Sequence, residues 1–186
     1  MNLNSAINGR RAVREFTQQA VDEQTIRALI DAALQAPSAM NRQPCRFIVV
    51  RDQALLARLS VASKAHMLAT MPEGAFSEHM HGQLDNPDFH IFYHAPALIL
   101  IAAMDEGAWM AEDCAMAAEN LMLAAYGSGL GSCWIGLAQG YLRTDAGKDM
   151  LAFPANWAAV APIIIGHPAK TPAPVARKEA EILWRG

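Results

Sequence analysis

Between Trp109 and Tyr126 the chain reads WMAEDCAMAAENLMLAAY, a stretch rich in Ala, Met and Leu that would be apolar on almost every face of a helix. A helix with one apolar stripe can lie on a surface, but one that is apolar nearly all round has to be covered on several sides. The segment therefore reads as a central helix, ending at Gly127, around which the other elements must be arranged. The chain has the means to do so: 53% of its 186 residues are hydrophobic. That length suits one domain, residues 1–186, which buries roughly two thirds of its unfolded surface. Charged residues make up only 18%, against about 25% in an average soluble domain. With so few charges to cover its surface, the chain is expected to bury more of it against a second copy.

The covering elements can be read from periodicity. Ile26, Leu29, Ile30, Ala33 and Leu34 follow helical spacing, Asp22 suits the N-cap, and Pro37 stops the helix. Arg46 to Val50 is a short strand-type run, followed by a helical pattern through Leu55, Leu56 and Leu59. Residues 70–94 mix Pro, Gly, Met, His and aromatics without a clear period and read as an excursion. After Pro96 the run ALILIAA reads as a buried strand, and Ala158 to Gly166 as another. Beyond it, Pro168, Pro172 and Pro174 hold residues 167–186 extended, as an arm that reaches a partner. The expected fold class is α+β, with a small sheet flanked by helices.

A net charge of −3 and a pI near 6.0 give no basic footprint for nucleic acid. Cys45, Cys114 and Cys133 stand far apart without a CxxC pair, which suits a reducing, cytoplasmic setting better than a disulfide framework. The N-terminal residues lack the apolar core of a signal peptide. The longest strongly apolar run, Ala95 to Met104, is half the roughly 20 residues that span a bilayer. No membrane association is expected.

The stretch GLGSCWIG, residues 129–136, contains most of the signature around a papain-like nucleophile. Such a thiol needs a His and an Asn roughly 130 to 150 residues downstream. Only 53 residues follow Cys133, Asn156 precedes the one downstream histidine, His167, and Leu130 replaces the cysteine expected three positions earlier. Cys133 therefore reads as a small buried hydrophobe beside Trp134. The flanking Gly129 and Gly131 read equally as a helix cap with a turn, or as a place where a flat ligand approaches the backbone.

Two further clusters carry chemistry. In Arg10-Arg11-Ala12-Val13-Arg14, a helical conformation would put Arg10 and Arg14 on one face, able to grip a dianion such as a phosphate. A solvated basic patch at a helix end is the alternative. The loop APSAMNRQP, residues 36–44, sets a hydroxyl and two carboxamides between prolines, as an ordinary turn or as a heterocycle-binding edge would.

Taken in order, RRAVREF, APSAMNRQPCRFIVV, FYHAPALILIAA, GLGSCWIG, IIIGHP and ARKE resemble the nitroreductase family of FMN-dependent oxidoreductases. The resemblance runs from about Ile7 to about Lys178. It implies a nitroreductase-like fold with a central, mostly antiparallel sheet and an intertwined homodimer with two FMN sites at the interface. By the same resemblance Arg10, Arg11 and Arg14 hold the phosphate and the polar side of the flavin. Pro37, Ser38 and Asn41 of the other subunit line the ring edge, with Gln43 nearby. Gly129, Leu130 and Gly131 pass their backbone beside the ring, and Arg177, aided by Lys178, reaches the phosphate from the arm. The excursion 70–94 covers the pocket, with Phe76, Met80 and Phe89 as lining residues.

The implied reaction is a ping-pong cycle in which NADH or NADPH donates hydride and a small-molecule acceptor, such as a nitroaromatic or quinone, accepts electrons. The cofactor carries the hard chemistry, so no catalytic side chain is sought. The absence of a GxGxxG fingerprint agrees with a nicotinamide bound transiently against the flavin. Many family members have Ser where this chain has Ala12, which removes one hydroxyl from the phosphate site. A dehalogenase or flavin-fragmenting enzyme of the same superfamily is one alternative. The other is a metal-binding module using His66, His79, His81, His90 and His94 with Glu78, Asp85 and Asp88, although their spacing matches no known zinc site.

Overall fold

The computed structural model describes residues 2–72, 74, 77–104 and 107–186. Four strands, β1 (Cys45–Val50), β2 (Ala97–Met104), β3 (Gly131–Trp134) and β4 (Trp157–Gly166), form one sheet in the order β1-β2-β4-β3. All neighbouring pairs run antiparallel. The helices among the described residues are α1 (Leu3–Gly9), α2 (Glu23–Leu34), α3 (Gln53–Thr70), α4 (Glu78–Asp85), α5 (Met110–Gly127), α6 (Gly136–Leu142) and α7 (Asp145–Leu151).

The sheet is covered on both faces, which is why β2 reads as an unbroken apolar run rather than an alternating one: Ala97 to Ala103 are all buried. Side chains alternate between faces along a strand. Ile99, Ile101, Ile163 and Ile165 pack with Ile26 and Leu29 of α2 and with Ala117, Ala118 and Leu121 of α5. Leu98, Leu100 and Ile164 pack on the opposite side with Leu56 and Leu59 of α3 and Ala138 and Leu142 of α6. The apolar helix α5 is thus enclosed between the sheet, α1 and α2.

Local signals account for several ends. Asp22 caps α2 by accepting from Thr25 N at 2.8 Å, and Asp52 caps α3 by accepting from Ala54 N at 2.8 Å. Two readings need revision. Residues 10–14 are not helical, because α1 ends at Gly9 and Arg10 is already extended (φ −58°, ψ 133°). Helix α5 does end at Gly127, and Gly129 (φ +76°) just beyond it completes the cap: Leu130 N bonds Ala125 O at 2.8 Å and Gly129 N bonds Tyr126 O at 3.0 Å, a Schellman motif. Within 70–94 lies a helix, α4, capped by Ser77, and Ile91 and Phe92 beyond it are fully buried, so that part of the excursion belongs to the core.

Candidate functional site

The arginine segment lies along the free edge of β3. Val13 N donates to Ser132 O at 2.9 Å, and Ala12 forms a parallel bridge with Ser132. In an extended chain alternate residues share a face, so Arg10 and Arg14 fall on one side without a helix. Arg11 points elsewhere: its Nη1 donates to Asn8 O and to Arg10 O, both at 2.8 Å, capping the end of α1. Arg10 Nε meets Glu119 of α5 at 3.1 Å, and the Arg14 guanidinium lies 5.9 Å from the centre of the Tyr93 ring. Burial pushes the Cys133 thiol up, while the nearby charges of Arg14 and Arg10 pull it down. The two guanidinium groups thus take different partners, Arg10 the carboxylate of α5 and Arg14 the face of Tyr93.

The glycines of GLG have separate tasks. A Cβ on Gly131 would stand 2.7 Å from the Cβ of Val13, so this glycine lets the arginine segment dock on β3. Gly129 serves the Schellman turn, and a Cβ there would meet nothing within 4 Å. Leu130 is buried in the core, which leaves only its backbone for a ligand.

The 36–44 loop is built differently. Met40, Asn41 and Gln43 all take left-handed backbone conformations, with φ of 53°, 53° and 49°. Such residues persist only where their surroundings hold them. Here Ser38 Oγ accepts from Gln43 N at 2.9 Å, Gln43 Nε2 donates to Asn41 Oδ1 at 3.0 Å, and Ala39 N donates to Asp113 Oδ1 at 2.9 Å. Asp113, only 5% exposed, is a buried carboxylate in the first turns of α5. Its neighbours Glu112 and Glu119 are acids of the same helix, so only its burial, which the sequence does not show, sets Asp113 apart. Pro37, Asn41 and Gln43 themselves are exposed.

The residues thus assemble in two groups. Gly9 packs on Tyr126, beside the arginine segment and GLG, at the C-terminal end of α5. The 36–44 loop sits over Asp113 at the other end. Asp113 and Tyr126 stand thirteen positions apart on α5, about 20 Å at 1.5 Å per residue, and Arg10 reaches Glu119 between them.

Of the pocket residues, Phe89 stacks edge-on to Tyr93 with ring centres 5.8 Å apart, and through it approaches Arg14. Met80 is on α4, and Phe76 lies outside the described residues. Arg177 and Lys178 are exposed in an arm without helix or strand, which leaves the body after Ala169 N bonds Glu15 O at 2.9 Å. Val175, Ile182, Leu183 and Trp184 of the arm are 57% to 85% exposed.

Cys133 Sγ faces Trp134 O at 3.6 Å and is buried, as a packing residue is. Among the described residues no group of three or more His, Cys, Asp or Glu side chains could hold a metal ion, and no helix is long and apolar enough to cross a membrane. What the described residues do offer suits a flat, anionic ligand: two arginines on one side of the segment docked on β3, open space at Gly129, and a loop with exposed carboxamides.

A profile of the nitroreductase family matches residues 7–167. A 5,6-dimethylbenzimidazole synthase from Rhodospirillum rubrum is 31% identical over 185 residues, covering 89% of this chain and 82% of that protein. A protein named "Putative NADH dehydrogenase/NAD(P)H nitroreductase" from Methanothermobacter thermautotrophicus is 28% identical over 177 residues, covering 92% and 80%. Among solved structures, a nitroreductase with bound FMN from Bacteroides fragilis superposes with a TM-score of 0.81 at 26% identity, covering 97% of this chain and 96% of that one. The fold is thus a known architecture, and the chain is a member of the nitroreductase family.

Proposed function

We propose that this chain is an FMN-dependent oxidoreductase that takes electrons from NADH or NADPH and passes them to a small nitroaromatic or quinone acceptor in a ping-pong cycle. We further propose that it works as a homodimer. The observation that carries this reading is the placement of the GLG turn and the 36–44 loop at opposite ends of α5, with Arg10 paired to Glu119 between them. A single ligand that needs both groups is served best when a second copy brings its loop to the first copy's arginine edge. The apolar side chains of the exposed arm, Ile182, Leu183 and Trp184, support such an exchange.

In this reading Arg10 and Arg14 hold the phosphate by charge-assisted bonds, joined by Arg177 from an arm. Arg11 braces the turn that aims them. The backbone at Gly129 to Gly131 lies against the ring, and Ser38, Asn41 and Gln43 of the partner copy present polar groups to its edge. Tyr93, itself against Phe89, lies beside the Arg14 guanidinium and favours its charge through the ring face. FMN, when bound, supplies the hydride acceptor and donor chemistry that no side chain here provides.

The test is direct. Purified protein should be yellow, release FMN on denaturation, run at twice the 20.1 kDa chain mass, and bleach when NADH or NADPH is added without oxygen. Colourless protein that FMN cannot reconstitute would overturn the reading. The 31% identity to a 5,6-dimethylbenzimidazole synthase favours a second reading, a specialised flavin enzyme such as a flavin-fragmenting one. Readmission of oxygen separates the two: a flavin spectrum that returns supports the reductase, and one that is destroyed supports the alternative.

A further inference from the structure

Cys45 and Cys114 lie 69 positions apart in sequence, yet their sulfurs approach to 3.7 Å. Cys45 is the first residue of β1, an edge strand, and directly follows the strained 36–44 loop. Cys114 is fully buried in α5 and adjoins Asp113, whose carboxylate anchors the loop at Ala39. The pair therefore ties the exit of the loop to the same turn of α5 that holds its entry.

We propose that Cys45 and Cys114 form a reversible disulfide under peroxide, and that this bond lowers FMN retention by displacing the loop. The second half rests on the FMN reading above. A disulfide requires sulfurs about 2.05 Å apart, so the pair must close by well over an ångström. Cys114 is fixed in the core, whereas Cys45 starts an edge strand beside an exposed loop. The movement falls on Cys45, Pro44 and Gln43. Gln43 N then loses its register with Ser38 Oγ, one of the bonds that keeps the loop left-handed.

The chemistry balances with hydrogen peroxide as oxidant. The Cys45 thiolate attacks the peroxide O–O bond, giving a sulfenic acid and hydroxide. The Cys114 sulfur then displaces that hydroxyl group to form the S–S bond. Both protons end in water, so two thiols and one peroxide yield one disulfide and two waters. Cys45 suits the attacking role: it is the more exposed of the two, and its contact with the Cys114 sulfur holds it below the ordinary thiol value despite burial, while Cys114 is raised. A dithiol reverses the bond by exchange.

The test treats the full-length protein with hydrogen peroxide, blocks remaining thiols, and maps disulfides by peptide mass. A Cys45–Cys114 link within one chain, with Cys133 alkylated, is expected. FMN should then bind roughly tenfold more weakly, as loss of a positioning hydrogen bond implies, and dithiothreitol should restore it. Cys45→Ser, and independently Cys114→Ala, should bind FMN equally before and after peroxide. Absence of the link, or a link that leaves FMN affinity unchanged, would overturn the proposal. Mapping needs no flavin, so a linked but colourless protein would uphold the thiol pair while failing the FMN reading.

Discussion

Replacing Asp113 by Ala removes the acceptor of the Ala39 N–H, 2.9 Å away in a largely buried setting. A hydrogen bond to a charged acceptor contributes about 1.5 to 3 kcal/mol, and the loop it steadies holds three left-handed residues that each cost about 1 to 2 kcal/mol. Without the anchor the loop relaxes toward ordinary backbone. FMN affinity is therefore expected to fall roughly 10- to 150-fold. Global stability behaves differently, because the same change removes a buried carboxylate and its desolvation cost. The two effects oppose, and at about 2 to 4 °C per kcal/mol for a chain of this size the melting temperature should move by only a few degrees. Asp113→Asn, which keeps an oxygen acceptor, should fall between wild type and Ala. The assay is fluorescence titration of apoprotein with FMN at fixed protein concentration, beside a thermal melt. Wild-type FMN affinity in Asp113→Ala would refute the anchoring argument.

Arg10→Ala should weaken FMN retention by about 1.5 to 3 kcal/mol with little effect on the apoprotein melt, since its partly exposed ion pair to Glu119 contributes little; unchanged affinity would count against the phosphate role. Gly131→Ala drives a Cβ into Val13 and should destabilise the fold by about 1 to 3 kcal/mol, whereas Gly136→Ala, with nothing within 4 Å, should be close to neutral in the same melt. Burial, then the charges of His94 and Lys64, lower the His90 pKa from 6.5 to about 4. Between these values the unfolded chain binds the proton and the folded chain does not. Stability should therefore fall as pH drops from about 6.5 to about 4, and His90→Gln should flatten that slope in denaturant titrations.

Much of the scaffold was legible in the residues. The Asp22 cap and the period of Ile26, Leu29 and Ala33 define α2, because these signals act within a few residues of where they stand. The apolar runs of β2 and β4 announced buried strands for the same reason. By contrast β3 is four residues, GSCW, whose extended form comes from pairing with Ile163 to Gly166 of β4. Helices α6 and α7 are seven residues each, too short for a period to emerge. Spacing alone lets the arginine segment be a helix, but docking on β3 through Gly131 makes it extended. An extended chain still sets Arg10 and Arg14 on one side, so that part of the reading survives for a different reason.

By itself the sequence determined the material of the site: clustered arginines, a proline-bracketed polar loop, and glycines after a helix that must be buried. Only the tertiary structure decided how they relate. It turned Arg11 onto α1 and gave Gly129 a capping role and Gly131 a docking role. It also supplied the Asp113 anchor and the Cys45–Cys114 contact from residues 69 or more positions away from their partners. The physical reason is range. Caps, periods and prolines act along neighbouring peptide units, whereas the roughly 20 Å between Asp113, under the loop, and Tyr126, beside GLG, is set by the length of α5 and by what packs at each end.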